Sequence, residues 1–63
     1  SILNVLPATV QSLADDGPAQ LLVALDMQGA PLLARITRKS AQHLHLHPGR
    51  RVFAQIKGVA VLD

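Results

Sequence analysis

Thr37 and Ser40 stand three residues apart around Arg38 and Lys39, and Lys57 follows on a later alternating segment. Two hydroxyls and an ammonium suit one kind of chemistry, the holding of a tetrahedral dianion away from bulk water. Such an ion needs several directed N–H and O–H donors and limited positive charge, because an unpaired buried charge is costly. Backbone amides of a turn opening near Ser40 add donors and a favourable local dipole. The same residues also have plainer uses. Hydroxyls in these positions cap helices, and a lysine at a strand edge is an ordinary solvated charge.

The run His43-Leu44-His45-Leu46-His47 is the other local arrangement with chemical potential. On a strand the three imidazoles share one face, and on a helix His43 and His47 are neighbours four residues apart, so either geometry can seat a transition metal. Metal sites also recruit a fourth ligand or an ordered outer shell, and no carboxylate or cysteine stands nearby in sequence. The histidines read better as solvated positions of a short connector whose buried residues are Leu44 and Leu46. A metal site of His43, His45 and His47 is the weaker reading.

Enzymatic chemistry has little to work with. The chain has no G-x-x-x-x-G-K-[ST] phosphate loop, no H-E-x-x-H, no glutamate and no cysteine. Nothing in the spacing of Ser, His and Asp marks a triad, which is defined by geometry, and no catalytic residue is expected. For nucleic acid, Arg35, Arg38, Lys39, Arg50, Arg51 and Lys57 offer phosphate contacts. Single-strand binders of the small-barrel class, however, stack bases on several aromatic side chains, and Phe53 is the only Phe, Tyr or Trp. The basic residues read as a solvated rim, with no nucleic-acid partner.

The elements that must position these groups are short strands between strong turn signals. Leu6, Ala8 and Val10 recur at period two within residues 4–12, which favours a strand, while Pro7 argues for an edge position or a bulge. Asp15-Asp16-Gly17-Pro18 supplies turn chemistry for a first hairpin. Gln20 to Met27 places Leu21, Val23 and Leu25 on one face and Leu22, Ala24 and Asp26 on the other, and Gln28-Gly29 closes it. Leu32, Ala34 and Ile36 then alternate with Leu33, Arg35 and Thr37. Ser40 is the expected N-cap of a single helical turn, ended by Pro48-Gly49. Arg51 to Lys57 resumes alternation with Val52, Ala54 and Ile56 inward, and a last strand is expected over residues 59–62. The expected fold is all-β, a five-stranded OB-like Greek-key barrel with one short helical turn, forming a single domain over residues 1–63.

Size adds a demand on partners. A 63-residue chain buries only about 60% of the surface its unfolded form exposes. Scaffolds this small usually need disulfides, a metal or a second subunit. With no cysteine and 49% hydrophobic residues, mostly aliphatic, the chain is expected to complete its core against another copy. The net charge of +2 is a basic tilt rather than a polycationic tail. No apolar run reaches the roughly 20 residues that cross a bilayer, no signal segment is evident, and a start at Ser1 reads as a processed product or a fragment.

A family resemblance is carried by four segments: Ser1-Ile2-Leu3-Asn4-Val5-Leu6, Leu33-Ala34-Arg35-Ile36-Thr37-Arg38-Lys39-Ser40, Leu46-His47-Pro48-Gly49, and Val52-Phe53-Ala54-Gln55-Ile56-Lys57. Together they resemble the molybdate-binding Mop module, a TOBE-type domain found in molbindins, in a molybdate-responsive regulator and at the C-terminus of the molybdate transporter's ATP-binding subunit. Leu6-Pro7-Ala8-Thr9-Val10 and Ala54-Gln55-Ile56-Lys57-Gly58-Val59-Ala60 look most like the transporter version. The resemblance implies a barrel that pairs with another copy, as at least a dimer, and holds molybdate or tungstate where copies meet, with no organic cofactor. It carries an oxyanion role to Ser1, Thr37, Ser40 and Lys57. Leu3 departs from the pattern, standing where the family motif has arginine, and Pro7-Ala8 stand where molbindins often have Lys-Gly. The implied setting is a regulatory domain of a cytoplasmic import ATPase, touching the inner membrane only through a parent transporter. A structural dimerisation module and a free-standing cytoplasmic molybdate store are the alternatives.

Overall fold

The computed structural model describes residues 3–57; Ser1 and the strand expected over residues 59–62 fall outside the described residues. Among the described residues four strands and one helix follow in order: β1 (Leu3–Asp15), β2 (Gln20–Met27), β3 (Ala30–Thr37), α1 (Arg38–His43) and β4 (Arg51–Lys57). They form one antiparallel sheet in the order β3-β2-β1-β4, which is the Greek-key arrangement. The fold is all-β and OB-like, with one short helix inserted between β3 and β4.

β1 is 13 residues long and serves two partners in turn. Leu3 to Thr9 pair with β4, whereas Thr9 to Asp15 pair with β2. The handover coincides with a bulge, because the register jumps between Val10 and Ser12 and leaves Gln11 without a partner in β2. Bulges increase local twist and bend a strand, so one continuous strand can curl from one neighbour to the next. The loop before β4 stitches the same point: Val10 N–H donates to Arg50 O at 2.8 Å and Gly49 N–H donates to Val10 O at 2.7 Å. Pro7 sits in the half of β1 paired with β4, outside its β2 register, which suits a residue that cannot donate to a second neighbour.

The β2–β3 connection is a two-residue turn with Gln28 at φ 53° and Gly29 at φ 92°. Positive φ at both positions is what a type I′ hairpin turn requires, and Asp26 Oδ1 steadies it by accepting Gly29 N–H at 3.0 Å. Alternation puts Ala8, Val10, Val23 and Leu25 on the inner face as the buried core. Leu13, Met27, Leu32, Ala34, Ile36, Leu46, Val52 and Ala54 pack against it. The core is wholly aliphatic, and the single phenylalanine lies outside it with Phe53 at 76% exposure.

Two local expectations are corrected here. The helix starts at Arg38 and its N-cap is Thr37, not Ser40. Thr37 ends β3 with extended dihedrals (φ −75°, ψ 151°) and its side chain accepts from the Ser40 N–H, whereas Ser40 already lies inside the helix. Leu44 is also not a buried connector residue, being 54% exposed, while Leu46 packs on the core.

Candidate functional site

The corner between β3 and α1 gathers most of the polar chemistry. Thr37 Oγ1 accepts the Ser40 N–H at 3.0 Å and donates to Ser40 Oγ at 2.9 Å. Capping and ligand chemistry therefore coexist. The Thr37 hydroxyl is used in both directions to hold Ser40, and the Ser40 hydroxyl retains its own hydrogen for a further acceptor. Both residues are exposed.

Arg38 anchors this corner to the β1–β2 turn. Its Nε donates to Pro18 O at 3.0 Å, and one terminal nitrogen donates to Asp15 Oδ1 at 2.7 Å and to Gly17 O at 3.1 Å. Its backbone N–H donates to Ala19 O at 3.0 Å. A planar guanidinium with a fixed fork of donors suits such a span of acceptors better than an ammonium does. Beside it, Arg35 pairs with Asp16 at 2.5 Å. Sequence reading treats these arginines as a solvated rim and misses the anchor. The available signal was the pairing of two turn aspartates, Asp15 and Asp16, with two arginines three residues apart.

Lys57 does not join this corner within one copy. Its backbone pairs with Leu3 at the start of β1, whereas Thr37 pairs with Gln20, beside the Leu21 that faces Asp15 at the far end of β1. Among the described residues no Cα of β3 or α1 lies within 8 Å of one in β4. The structure thus brings Thr37 and Ser40 together and places Lys57 at the other end of the sheet.

The histidine run adopts neither geometry that would align it. The helix ends at His43, with Leu44 as C-cap, and His45 takes the left-handed conformation at φ 53°. His45 N–H donates to Gln42 O at 3.1 Å and Leu46 N–H to Ala41 O at 3.0 Å, the paired bonds of a Schellman C-cap. That reversal turns the chain between successive histidines. Nδ1 of His47 lies 3.1 Å from Pro48 O. Among the described residues no three His, Cys, Asp or Glu side chains converge as a metal-binding group.

Comparison with known proteins places this geometry in a family. The TOBE domain model matches residues 1–62. The chain is a TOBE domain. Molybdenum import ATP-binding protein ModC of Albidiferax ferrireducens is 61% identical to it over 62 residues, covering 98% of this chain and 17% of that protein. ModC 1 of Azotobacter vinelandii is 57% identical over 63 residues, with 98% and 18% covered. The TOBE domain therefore spans less than a fifth of these curated relatives. Among solved structures, a molybdate-binding protein from Sporomusa ovata matches with a TM-score of 0.83 and 35% identity, over 95% of this chain and 91% of that one. No helix of the described residues is long and apolar enough to cross a membrane.

Proposed function

We propose that this TOBE domain binds molybdate or tungstate at the seam between two copies of itself, with Thr37 and Ser40 from one copy and Lys57 from the other. The observation that carries this reading is the Thr37–Ser40 pair, in which one hydroxyl positions the other and leaves it a free donor. Lys57 stands at the opposite end of the sheet, so a second copy is the means by which its ammonium reaches the same ion. A tetrahedral dianion suits this donor set, because hydroxyls and amides replace its water while one or two cations offset its charge. Ser1 contributes a further hydroxyl. The names of the relatives, molybdenum import and molybdate binding, support the choice of oxyanion.

The domain acts by binding and not by catalysis. Its place is the regulatory part of a molybdate import ATPase, on the cytoplasmic side, reaching the membrane only through the parent transporter. Occupied in a replete cell, it restrains the pump. A second reading, a dimerisation module without ligand, is favoured by the apolar patch at the Lys57 end. Val5 is 56% and Phe53 76% exposed, and they are diagonal neighbours on one face, since Val5 faces Gln55 and Pro7 faces Phe53. Such exposed side chains mark an association surface.

Subunit complementation separates the readings. Ser40→Ala and Lys57→Ala homo-oligomers are each expected to lose molybdate binding by calorimetry. Mixed after dissociation and reassembly, half of the pairs are hetero, and in each of these one site holds both substitutions and the other holds none, so binding returns at about a quarter of the original stoichiometry. Return of no sites would place all ligands in one copy and overturn the seam. Unchanged oligomers that give no heat with molybdate even as wild type would favour the scaffold.

A further inference from the structure

Three cations flank the Thr37–Ser40 pair, and two of them are already matched. Arg35 is held by Asp16, and Arg38 by Asp15 and two turn carbonyls. Each of these arginines sits against a full negative charge, so neither adds net attraction for an anion at the corner. Lys39 differs. It is exposed, and among the described residues no acidic group lies within ion-pair distance of it. It lines an open cleft of about 360 Å³ together with Ser40, His43 and Leu44. Ser40, whose hydroxyl hydrogen Thr37 leaves free, is thus a lining residue of the same cleft as Lys39.

We infer that Lys39 is an oxyanion-binding residue of this TOBE domain, supplying the positive charge at the Thr37–Ser40 half of the site while Lys57 supplies it from the partner copy. The inference rests on the seam reading given above and adds to it a charged ligand that the hydroxyl spacing alone does not identify. Its physical basis is a division of labour. Arg38, three times bonded and neutralised, fixes the corner in place, and Lys39, next in sequence and unmatched, meets the ligand. A lysine suits the second role because its flexible stem and rotatable donors adapt to a small ion, and an exposed charge of this kind contributes modestly.

The test uses the whole chain in its assembled state, with molybdate as the probe. Lys39→Gln is expected to weaken molybdate binding about fivefold, near the upper end for an exposed charge pair, and to flatten the dependence of affinity on salt. Lys39→Arg should retain affinity within about twofold by keeping the charge. Thermal stability should not move in either variant, which distinguishes ligand contact from a structural role. Wild-type affinity in Lys39→Gln, alongside lost binding in Lys57→Ala, would overturn the assignment of Lys39 and leave the seam intact. Absence of molybdate binding by the wild-type chain would overturn both.

Discussion

The two ends of β1 are built on different principles. At the Asp15 end, side chains do the fastening: Arg38 grips the β1–β2 turn, Arg35 meets Asp16, and Thr37 caps α1. At the Leu3 end, backbone pairing with β4 carries the strand, and the outer face shows Val5 and Phe53 to solvent. One end is polar and largely paired within the copy, with the Ser40 hydroxyl and the Lys39 ammonium to spare. The other is apolar and open. A site for a small dianion needs the first, an interface needs the second, and each copy holds one of each. That asymmetry is why the proposed site, with Ser40 and Lys57 together, calls on two copies.

Removing the guanidinium should break the polar end alone. Arg38→Ala deletes three side-chain hydrogen bonds, one of them to a carboxylate, at a cost of about 2 kcal/mol for a charge-assisted set that is partly solvated. The expected outcome is a lower unfolding midpoint and faster amide exchange across residues 15–19 and 38–40. Exchange in the β1–β4 pairing should be unchanged. Equal loosening at both ends would mean that the two are one cooperative unit.

How much of this contrast was legible beforehand depends on which forces were local. β2 and β4 were readable to their observed bounds because alternation and flanking Gly and Pro signals are properties of the segment itself. β1 was readable only to Ser12, since its last residues are strand by virtue of pairing with β2 up to the turn. The bulge at Gln11 and the change of partner had no local signal. Thr37 and Ser40 were both recognisable as hydroxyls suited to capping or ligand binding, yet propensity does not rank two such residues three apart. The extended backbone that β3 imposes on Thr37 decides it. The separation of Lys57 from that corner was hidden for the same reason, because it follows from strand order, which no spacing along the chain encodes. The histidine run misled in the opposite direction: its regular repeat suggested alignment, and a helix C-cap at Leu44 and His45 destroys it.

A finer cut divides capping from donor geometry within the polar end. Thr37→Ala removes the acceptor for Ser40 N–H and is expected to cost about 1 kcal/mol, as for other N-cap deletions. Thr37→Ser retains an oxygen in place and should cost only a few tenths. Molybdate affinity, followed in parallel, should fall with Thr37→Ala and survive in Thr37→Ser, because the Ser40 hydroxyl is aimed by Thr37. If Thr37→Ala lowered stability and left affinity untouched, Thr37 would be a cap alone and Ser40 would need no such support.

The smallest effect should come from the link that carries the chain from the polar end to the open one. His45 occupies the left-handed region at φ 53°, where a side chain with a Cβ is strained and glycine is not. Its N–H and that of Leu46 close the end of α1 on Gln42 and Ala41 carbonyls, so the conformation is set by the cap and not by the imidazole. Leu46 reinforces it by packing on the core. His45→Gly should therefore raise stability by about 0.5 kcal/mol, the relief of left-handed strain being partly offset by the greater freedom of glycine when unfolded. Thermal denaturation would register it as a small upward shift, with no change in molybdate affinity because His45 lies outside the Lys39–Ser40 cleft. A loss of stability would show that the imidazole itself holds the cap, and the two ends would then be joined by a side-chain contact instead of by backbone geometry.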